Sequence, residues 1–488
     1  MLSESTTKKT GRHSKIMKDA KLDKDTKKLI FFVISIGIVL LSFVLPIPEG
    51  LSREGLKMLS IALAAAFLWM TEAISIGVTG ILIILLQSIL GIVPLKEGLA
   101  AVAHPVNAVV LVGYLLAGSL VNSGMDRRLS LMVISRMGEK TNMLILGIMI
   151  STAFLAMWMS STATVAIMVP ISLGIIKMSG AKPLESNFGK VLFIGIAFAA
   201  NIGGLATPTA TTSNLIAIAF LNSLVGIQIT FLGWIGKTIP LAIVLLPLTW
   251  IILQKVYPLE IDVVEGGLDA SKKELAEMGK MSKEEKRVIF LFTAAILLWT
   301  MDSFLPLSKD WLYIVSVFIT IVIVLPKVGF LTWKEAQKLI GWDVLFLVGG
   351  GLAMGVGLKN AGTIDWITNM LSGSIGNVPE RFAVIIISLV TGLGITIFCS
   401  MSGTATTFVP ISIGLAMTFG WNPVVFAIIA GLSSSFAFLL PANSAPNAVA
   451  YGSGYFKSSD MFKVGIIIVL LSVVVVGLYG GFILPFLV

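Results

Sequence analysis

Charge, sulfur and imidazole are what this chain has little of. Only 12% of its 488 residues are Asp, Glu, Lys or Arg, about half of what a soluble domain carries, so it has too little polar surface to cover a water-soluble fold. One cysteine, Cys399, excludes a disulfide framework. Two histidines, His13 and His104, exclude most clustered zinc sites and leave the hydroxyl-rich segments without a catalytic base nearby. No enzyme activity, metal centre or cofactor is therefore expected. The net charge of +9 does not point to nucleic acid either, because the basic residues lie between apolar runs and form no single patch interleaved with aromatics.

Hydrophobic residues make up 56% of the chain, and the mean hydropathy is +0.97. Lipid is the expected solvent. Stretches long enough for a hydrocarbon core of about 30 Å fall near 29–47, 57–74, 76–94, 105–123, 190–221, 232–254, 288–305, 311–330, 342–360, 423–452 and 463–487. These predict eleven transmembrane helices. Two further apolar stretches, 142–178 and 383–418, are interrupted midway by Ser, Thr and Gly and read as re-entrant helical hairpins. The fold expected is an all-α polytopic membrane protein.

The first 28 residues hold nine Lys or Arg ahead of an apolar run with no small-residue cleavage site, which suits a retained first helix. Lysine and arginine favour the cytoplasmic side. With the N-terminus inside, the inner segments collect Arg127, Arg128, Arg136 and Lys140, then Lys177, Lys182 and Lys190, then Lys272 to Arg287. The outer loops keep few, mainly Arg53, Lys96, Lys309 and Arg381. A multi-pass protein of the cell membrane with a cytoplasmic N-terminus and an extracellular C-terminus is predicted.

Internal repetition is the clearest pattern. SSTATVAIMVPISLG at 160–174 aligns without a gap on SMSGTATTFVPISIG at 400–414. LVNSG at 120–124 pairs with LKNAG at 358–362, and Pro208 and Asn214 pair with Pro441 and Asn447. A unit of five crossings and one hairpin is odd, so the second copy enters from the opposite face and the repeats are inverted, a topology of secondary transporters. The chain divides into a basic segment 1–28, a first helix in 29–56, a repeat 57–256 with hairpin 142–178, a mixed-charge cytoplasmic linker 257–287, and a repeat 288–488 with hairpin 383–418.

Irregular backbone at membrane depth needs protein or a water-filled cavity around it. The first tip offers Ser160, Ser161 and Thr162, the second Ser400, Ser402 and Thr404, and the two proline-containing loops add Thr207, Thr209, Pro441 and Asn443. Helix N-termini and hydroxyls hold carboxylates without lysine or arginine, and two such tips suit two carboxylates on one substrate. The same residue types also ligate cations and line helix contacts in membrane bundles, so the pattern alone leaves binding and packing both open.

At these residues the chain resembles the divalent anion:sodium symporter family, through LWMTEAISIGVTG from Leu68, STAFLAMWMSSTAT from Ser151, ANIGG from Ala200 and LLPANSAPNAVAYGSG from Leu439. The resemblance implies a carrier of C4/C5 dicarboxylates such as succinate, malate, fumarate or 2-oxoglutarate. It also implies a homodimer in the lipid bilayer, with a scaffold and a transport part that moves as an elevator. That family carries Ser-Asn-Thr at each tip, whereas this chain reads Ser160-Ser161-Thr162 and Ser400-Met401-Ser402. A thioether is a poor ligand for a hard cation, and Ala156 and Ile397 stand where the family commonly has oxygens. Sodium-independent exchange is therefore the first expectation here, and sodium-coupled symport of a dicarboxylate, citrate or sulfate the alternative.

Overall fold

The structure is a computed structural model that describes residues 25–138, 140–264, 266–376 and 378–488, so the basic segment before residue 25 lies outside the described residues. Among these residues the chain is helical, with one isolated bridge between Lys140 and Val263 and no strand. The helix α1 (Asp25–Val44) exposes Leu29, Val33, Leu40 and Val44, a face suited to hydrocarbon. Serine caps start α2 (Arg53–Thr71) and α3 (Ile76–Ile89), where the Ser52 and Ser75 hydroxyls accept the Gly55 and Val78 N–H groups. Pro105 separates α4 (Leu95–Val102) from α5 (Val106–Ser123), and His104 Nδ1 accepts the Val106 N–H at 3.2 Å. That capping bond occupies one of the chain's two imidazoles.

A short α6 (Met125–Ile134) leads to α7 (Thr141–Ala156), α8 (Ser161–Met178), α9 (Asn187–Gly203), α10 (Thr212–Val225) and α11 (Phe231–Val256). The linker holds α12 (Gly267–Glu277). Then follow α13 (Lys283–Thr300), α14 (Trp311–Val324), α15 (Trp333–Leu339), α16 (Trp342–Asn360), α17 (Thr363–Ile375), α18 (Glu380–Phe398), α19 (Met401–Phe419), α20 (Pro423–Ser433), α21 (Ala445–Tyr451) and α22 (Ser458–Phe482).

Among the described residues, eight helices are long and apolar enough to span a membrane, and six more apolar helices have 10–17 residues. That differs from eleven continuous crossings. The stretch 190–221 is not one helix but two, α9 and α10, broken at 204–211, and 423–452 likewise divides into α20 and α21. Hydropathy averages over such breaks, because Pro, Thr and Ser interrupt the helix without lowering the apolar content enough to be noticed.

Close packing orders the interior. A Cβ on Gly350 of α16 would lie 2.2 Å from the Gly80 Cα of α3, so these two helices touch backbone to backbone and only glycine fits. Helix α9 is buried along nearly its whole length and packs against α7, α8, α11 and α21, the pattern of a core helix that is apolar all round. The linker is more than a solvated tether. Arg128 of α6 donates to Glu285 Oε1 at 2.6 Å and to the Gly279 and Met278 carbonyls at 2.9 and 3.2 Å. Both side chains of this ion pair are almost wholly buried, and the Arg128 guanidinium beside it holds the Glu285 carboxyl below its usual range.

Candidate functional site

Two helix breaks built on one plan define the site. In the first, α7 ends at Ala156 and α8 begins after Ser160, whose hydroxyl accepts the Ala163 N–H at 3.2 Å. In the second, α18 ends at Cys399 in the left-handed region (φ 48°), and the Ser400 hydroxyl accepts the Gly403 N–H at 3.1 Å. The threonine four residues past each cap, Thr164 or Thr404, donates back to the cap's carbonyl. Each break joins two helices that pack against one another.

Two asparagines fix the proline-containing connections with equal offsets. Asn214 Nδ2 donates to the carbonyls of Gly204 and Thr207, ten and seven residues earlier, at 2.9 and 2.8 Å. Asn447 Nδ2 donates to those of Ala437 and Leu440, again ten and seven earlier, at 2.6 and 3.1 Å. Asn201 ties the first connection to the second by donating to the Ala437 carbonyl and to Asn447 Oδ1, both at 3.1 Å. All three are buried, where an unpaired carbonyl is costly. The helical breaks are thus stabilised by side-chain donors that replace the missing helical ones.

The breaks meet at a cavity of about 440 Å³. Of the residues predicted from the sequence, Ser160, Ser161, Thr162, Thr209, Met401 and Ser402 line it. Thr207, Ser400, Thr404, Pro441 and Asn443 do not, and the reason is visible for most of them. The Thr207 hydroxyl donates to the Met157 carbonyl, so it fastens the connection to the first tip. Ser400 and Thr404 are spent on capping α19, and Asn443 Oδ1 accepts the Leu440 N–H at 2.8 Å. Ser161 is buried and donates to the Ala200 carbonyl at 3.1 Å. The hydroxyls of Thr162 and Ser402 make no bond among the described residues and remain open toward the cavity.

Sequence reasoning missed the opposite wall, which comes from Val110, Gly113, Tyr114, Val121 and Asn122 of α5 and from Leu339. Asn122 belongs to the repeated LVNSG block, so the repeat held the clue. The remaining α5 residues read only as helix interior. Gly113 is small enough to bring Thr209 within 3.9 Å of where a Cβ would stand, and Gly204 places Thr211 and Ser161 at 2.7 and 3.2 Å from such a Cβ.

Among the described residues, no Asp, Glu, Lys, Arg or His lines the cavity. Its positive potential comes from backbone instead. The first residues of α8, α10 and α19 all face it, and each helix N-terminus acts as roughly half a positive charge. Together they supply about 1.5 charges, short of a dianion's two. The arrangement is able to hold a small anion with N–H groups and hydroxyls.

Comparison with known proteins agrees with this chemistry. The family model described as the sodium:sulfate symporter transmembrane region matches residues 26–487. A sodium-dependent dicarboxylate transporter SdcS of Staphylococcus saprophyticus is 32% identical over 478 residues, covering 92% of this chain and 91% of that protein. An SdcS of Staphylococcus aureus strain MRSA252 is 32% identical over 482 residues, covering 94% and 92%. Among solved structures, the Alcanivorax borkumensis YdaH transporter superposes with TM-score 0.54 at 14% identity, over 77% of this chain and 85% of that one. The Neisseria gonorrhoeae efflux pump MtrF does so with TM-score 0.54 at 13% identity, over 93% and 94%. The two structures establish likeness of fold alone. Sequence relatedness across nearly the whole length establishes more: the chain belongs to the divalent anion:sodium symporter family.

Proposed function

We propose that this protein carries C4/C5 dicarboxylates such as succinate, malate, fumarate or 2-oxoglutarate across the cytoplasmic membrane, driven by sodium. Family and relatives are transporters, not enzymes. The observation that carries the reading is the uncharged cavity at which three helix N-termini converge. Such a site neutralises most of a dianion and leaves a deficit that a monovalent cation fills. The relatives named as sodium-dependent dicarboxylate transporters favour this coupling over the exchange expected from the sequence.

In this reading the substrate carboxylates lie against Ser160 to Thr162 and against Met401 and Ser402, with Thr209 between them. The equal capping and asparagine offsets support two related halves, which we place in opposite orientation with the N-terminus cytoplasmic and the C-terminus extracellular. The part that carries the two breaks, one from each half, moves past the rest as an elevator, in a homodimer.

Exchange is retained as a second reading on one observation. Met401 faces the cavity with a thioether, and the Ser161 hydroxyl is committed to a backbone carbonyl, so neither supplies the amide oxygen expected of a strong sodium site. Uptake of labelled succinate into proteoliposomes decides between them. Symport predicts uptake with sodium outside and no dicarboxylate inside, abolished when choline replaces sodium. Uptake that ignores sodium and needs internal dicarboxylate supports exchange instead, and no uptake under either condition removes the dicarboxylate assignment.

A further inference from the structure

Helices α5 and α16 carry one pattern but meet α10 and α19 differently. Gly113, Val121, Asn122 and Gly124 of the first pair with Gly351, Lys359, Asn360 and Gly362 of the second, and Gly124 and Gly362 both turn the chain in the left-handed region, at φ 74° and 70°. On α5 this face is open, and Gly113, Val121 and Asn122 line the substrate cavity. On α16 it is shut. A Cβ on Gly351 would stand 2.5 Å from Thr406 Cγ2 of α19, and one on Gly355 2.2 Å from Phe220 Cε1 of α10. Lys359 Nζ donates to the Leu224 carbonyl, in the last turn of α10, at 3.2 Å. Beside that contact lies a second cavity of about 230 Å³, lined by Leu224, Lys359, Asp365 and, from α19, Pro410 and Met417. Both α10 and α19 thus reach the substrate cavity with their first residues and the second cavity with later ones; Thr212 and Leu224 are about 18 Å apart along α10.

We infer that Lys359 becomes part of the substrate cavity wall when the carrier opens to its opposite face, in the place that Val121 holds here, and raises the affinity for dianions on that face. This rests on the carrier reading above, with its two oppositely oriented halves. Inverted halves interchange their roles when a carrier changes face, so the α5 wall closes and the α16 wall opens. The interchange is not neutral, because the position that is valine on α5 is lysine on α16. As α10 withdraws, the ammonium gives up the Leu224 carbonyl and meets a carboxylate, exchanging a neutral acceptor for a charged one. Lys359 belongs to α16 and not to the part that carries the breaks, so its charge does not cross the membrane. In the orientation proposed above, this end of α16 is extracellular. Substrate is therefore gathered outside on a lysine and released inside, where valine stands, and a contact of ammonium with carboxylate is expected to separate the two affinities by roughly tenfold.

The test compares initial rates of labelled succinate uptake into right-side-out and inverted membrane vesicles from cells expressing the full chain, at equal external sodium. Lys359→Gln is expected to raise KM about tenfold in right-side-out vesicles and to leave it within about twofold in inverted ones, whereas Lys359→Arg keeps the wild-type value. A general loss of packing would raise both. Val121→Lys is the reciprocal change and should lower KM in inverted vesicles by about tenfold. Choline chloride added at constant sodium should raise the wild-type KM on the outer face, a dependence that Lys359→Gln loses. An outer-face KM unchanged in Lys359→Gln protein that transports, or a rise shared by both faces, overturns the inference. Where that variant fails to fold, an inner-face KM unmoved in Val121→Lys protein, or a wild-type outer-face KM that ignores choline chloride, overturns it instead. Failure of the carrier reading looks different: wild-type vesicles of neither orientation take up succinate.

Discussion

Asn214 is where sequence, local structure and site meet most directly, and Asn214→Ala is the most informative single change. Its amide donates to the buried carbonyls of Gly204 and Thr207 at 2.9 and 2.8 Å, which close the break that presents Thr209, Thr211 and Thr212 to the cavity. Leaving a buried carbonyl unpaired costs about 1–3 kcal/mol, so losing both donors is expected to destabilise the protein by about 2–4 kcal/mol, discounted for some relaxation. Part of that energy holds the connection in its binding geometry, and substrate affinity is expected to fall by roughly tenfold, equivalent to about 1.4 kcal/mol. Asn447→Ala removes the corresponding pair and also the acceptor of Asn201, so its loss of stability should exceed that of Asn214→Ala. Denaturant unfolding in mixed micelles and equilibrium binding of succinate measure the two effects. If Asn214→Ala matches the wild type in both, or if Asn447→Ala is the milder change, the asparagines do not brace the breaks and the reasoning fails.

Other perturbations separate scaffold from site. Thr162→Val keeps shape but removes an uncommitted hydroxyl from the cavity, so KM for succinate should rise roughly tenfold while unfolding stays near the wild type; an unchanged KM takes Thr162 out of the site. Gly204→Ala puts a methyl 2.7 Å from Thr211 Cγ2, and binding should weaken as that threonine is displaced, which calorimetry would register. Glu285→Gln leaves Arg128 buried and unpaired, at a cost of about 3–5 kcal/mol readable as a lowered unfolding midpoint. The same pair sets a pH dependence. Because the folded Glu285 carboxyl sits below its usual 4.5, its contribution is complete above that value and is lost as pH falls toward the folded one. An acid-unfolding profile identical in the wild type and in Glu285→Gln would refute this.

Much of this architecture is legible in the amino-acid sequence. The gap-free alignment of 160–174 with 400–414 predicted equivalent tips, and Ser160 and Ser400 cap α8 and α19 at the same offset. The pairing of Asn214 with Asn447 was also readable, though not what the two do, since a carbonyl ten residues upstream is reached only after the chain has bent. What stayed hidden has a common cause. Hydropathy reports average polarity and so merged α9 with α10 and α20 with α21 into single crossings. A hydroxyl in sequence does not say which partner it will take, so Ser400, Thr404 and Thr207 read as ligands although Ser400 accepts from its own helix and the two threonines donate to backbone carbonyls. The α5 wall was missed because Val110, Tyr114 and Val121 carry no chemistry that sets them apart from any membrane helix.

The absence of a charged side chain from the cavity wall bears on coupling as much as on binding. A carrier that met its anion with a fixed lysine would, when empty, have to move an unpaired buried charge across the bilayer, at a cost of several kcal/mol. Helix N-termini avoid that, because their half charges belong to dipoles whose opposite ends lie in the same helices. In the proposed mechanism an empty site of this kind would return without a counter-substrate, which suits net uptake rather than obligatory swapping. The loaded site has the opposite problem. A dianion exceeds the roughly 1.5 charges that three N-termini provide, and in the proposed symport a co-bound monovalent cation would bring the loaded site nearer neutrality. Raising the sodium concentration should therefore lower the apparent KM for succinate steeply, whereas lithium or choline at equal ionic strength should not. A KM that follows ionic strength alone would mean that screening, and no bound cation, balances the substrate.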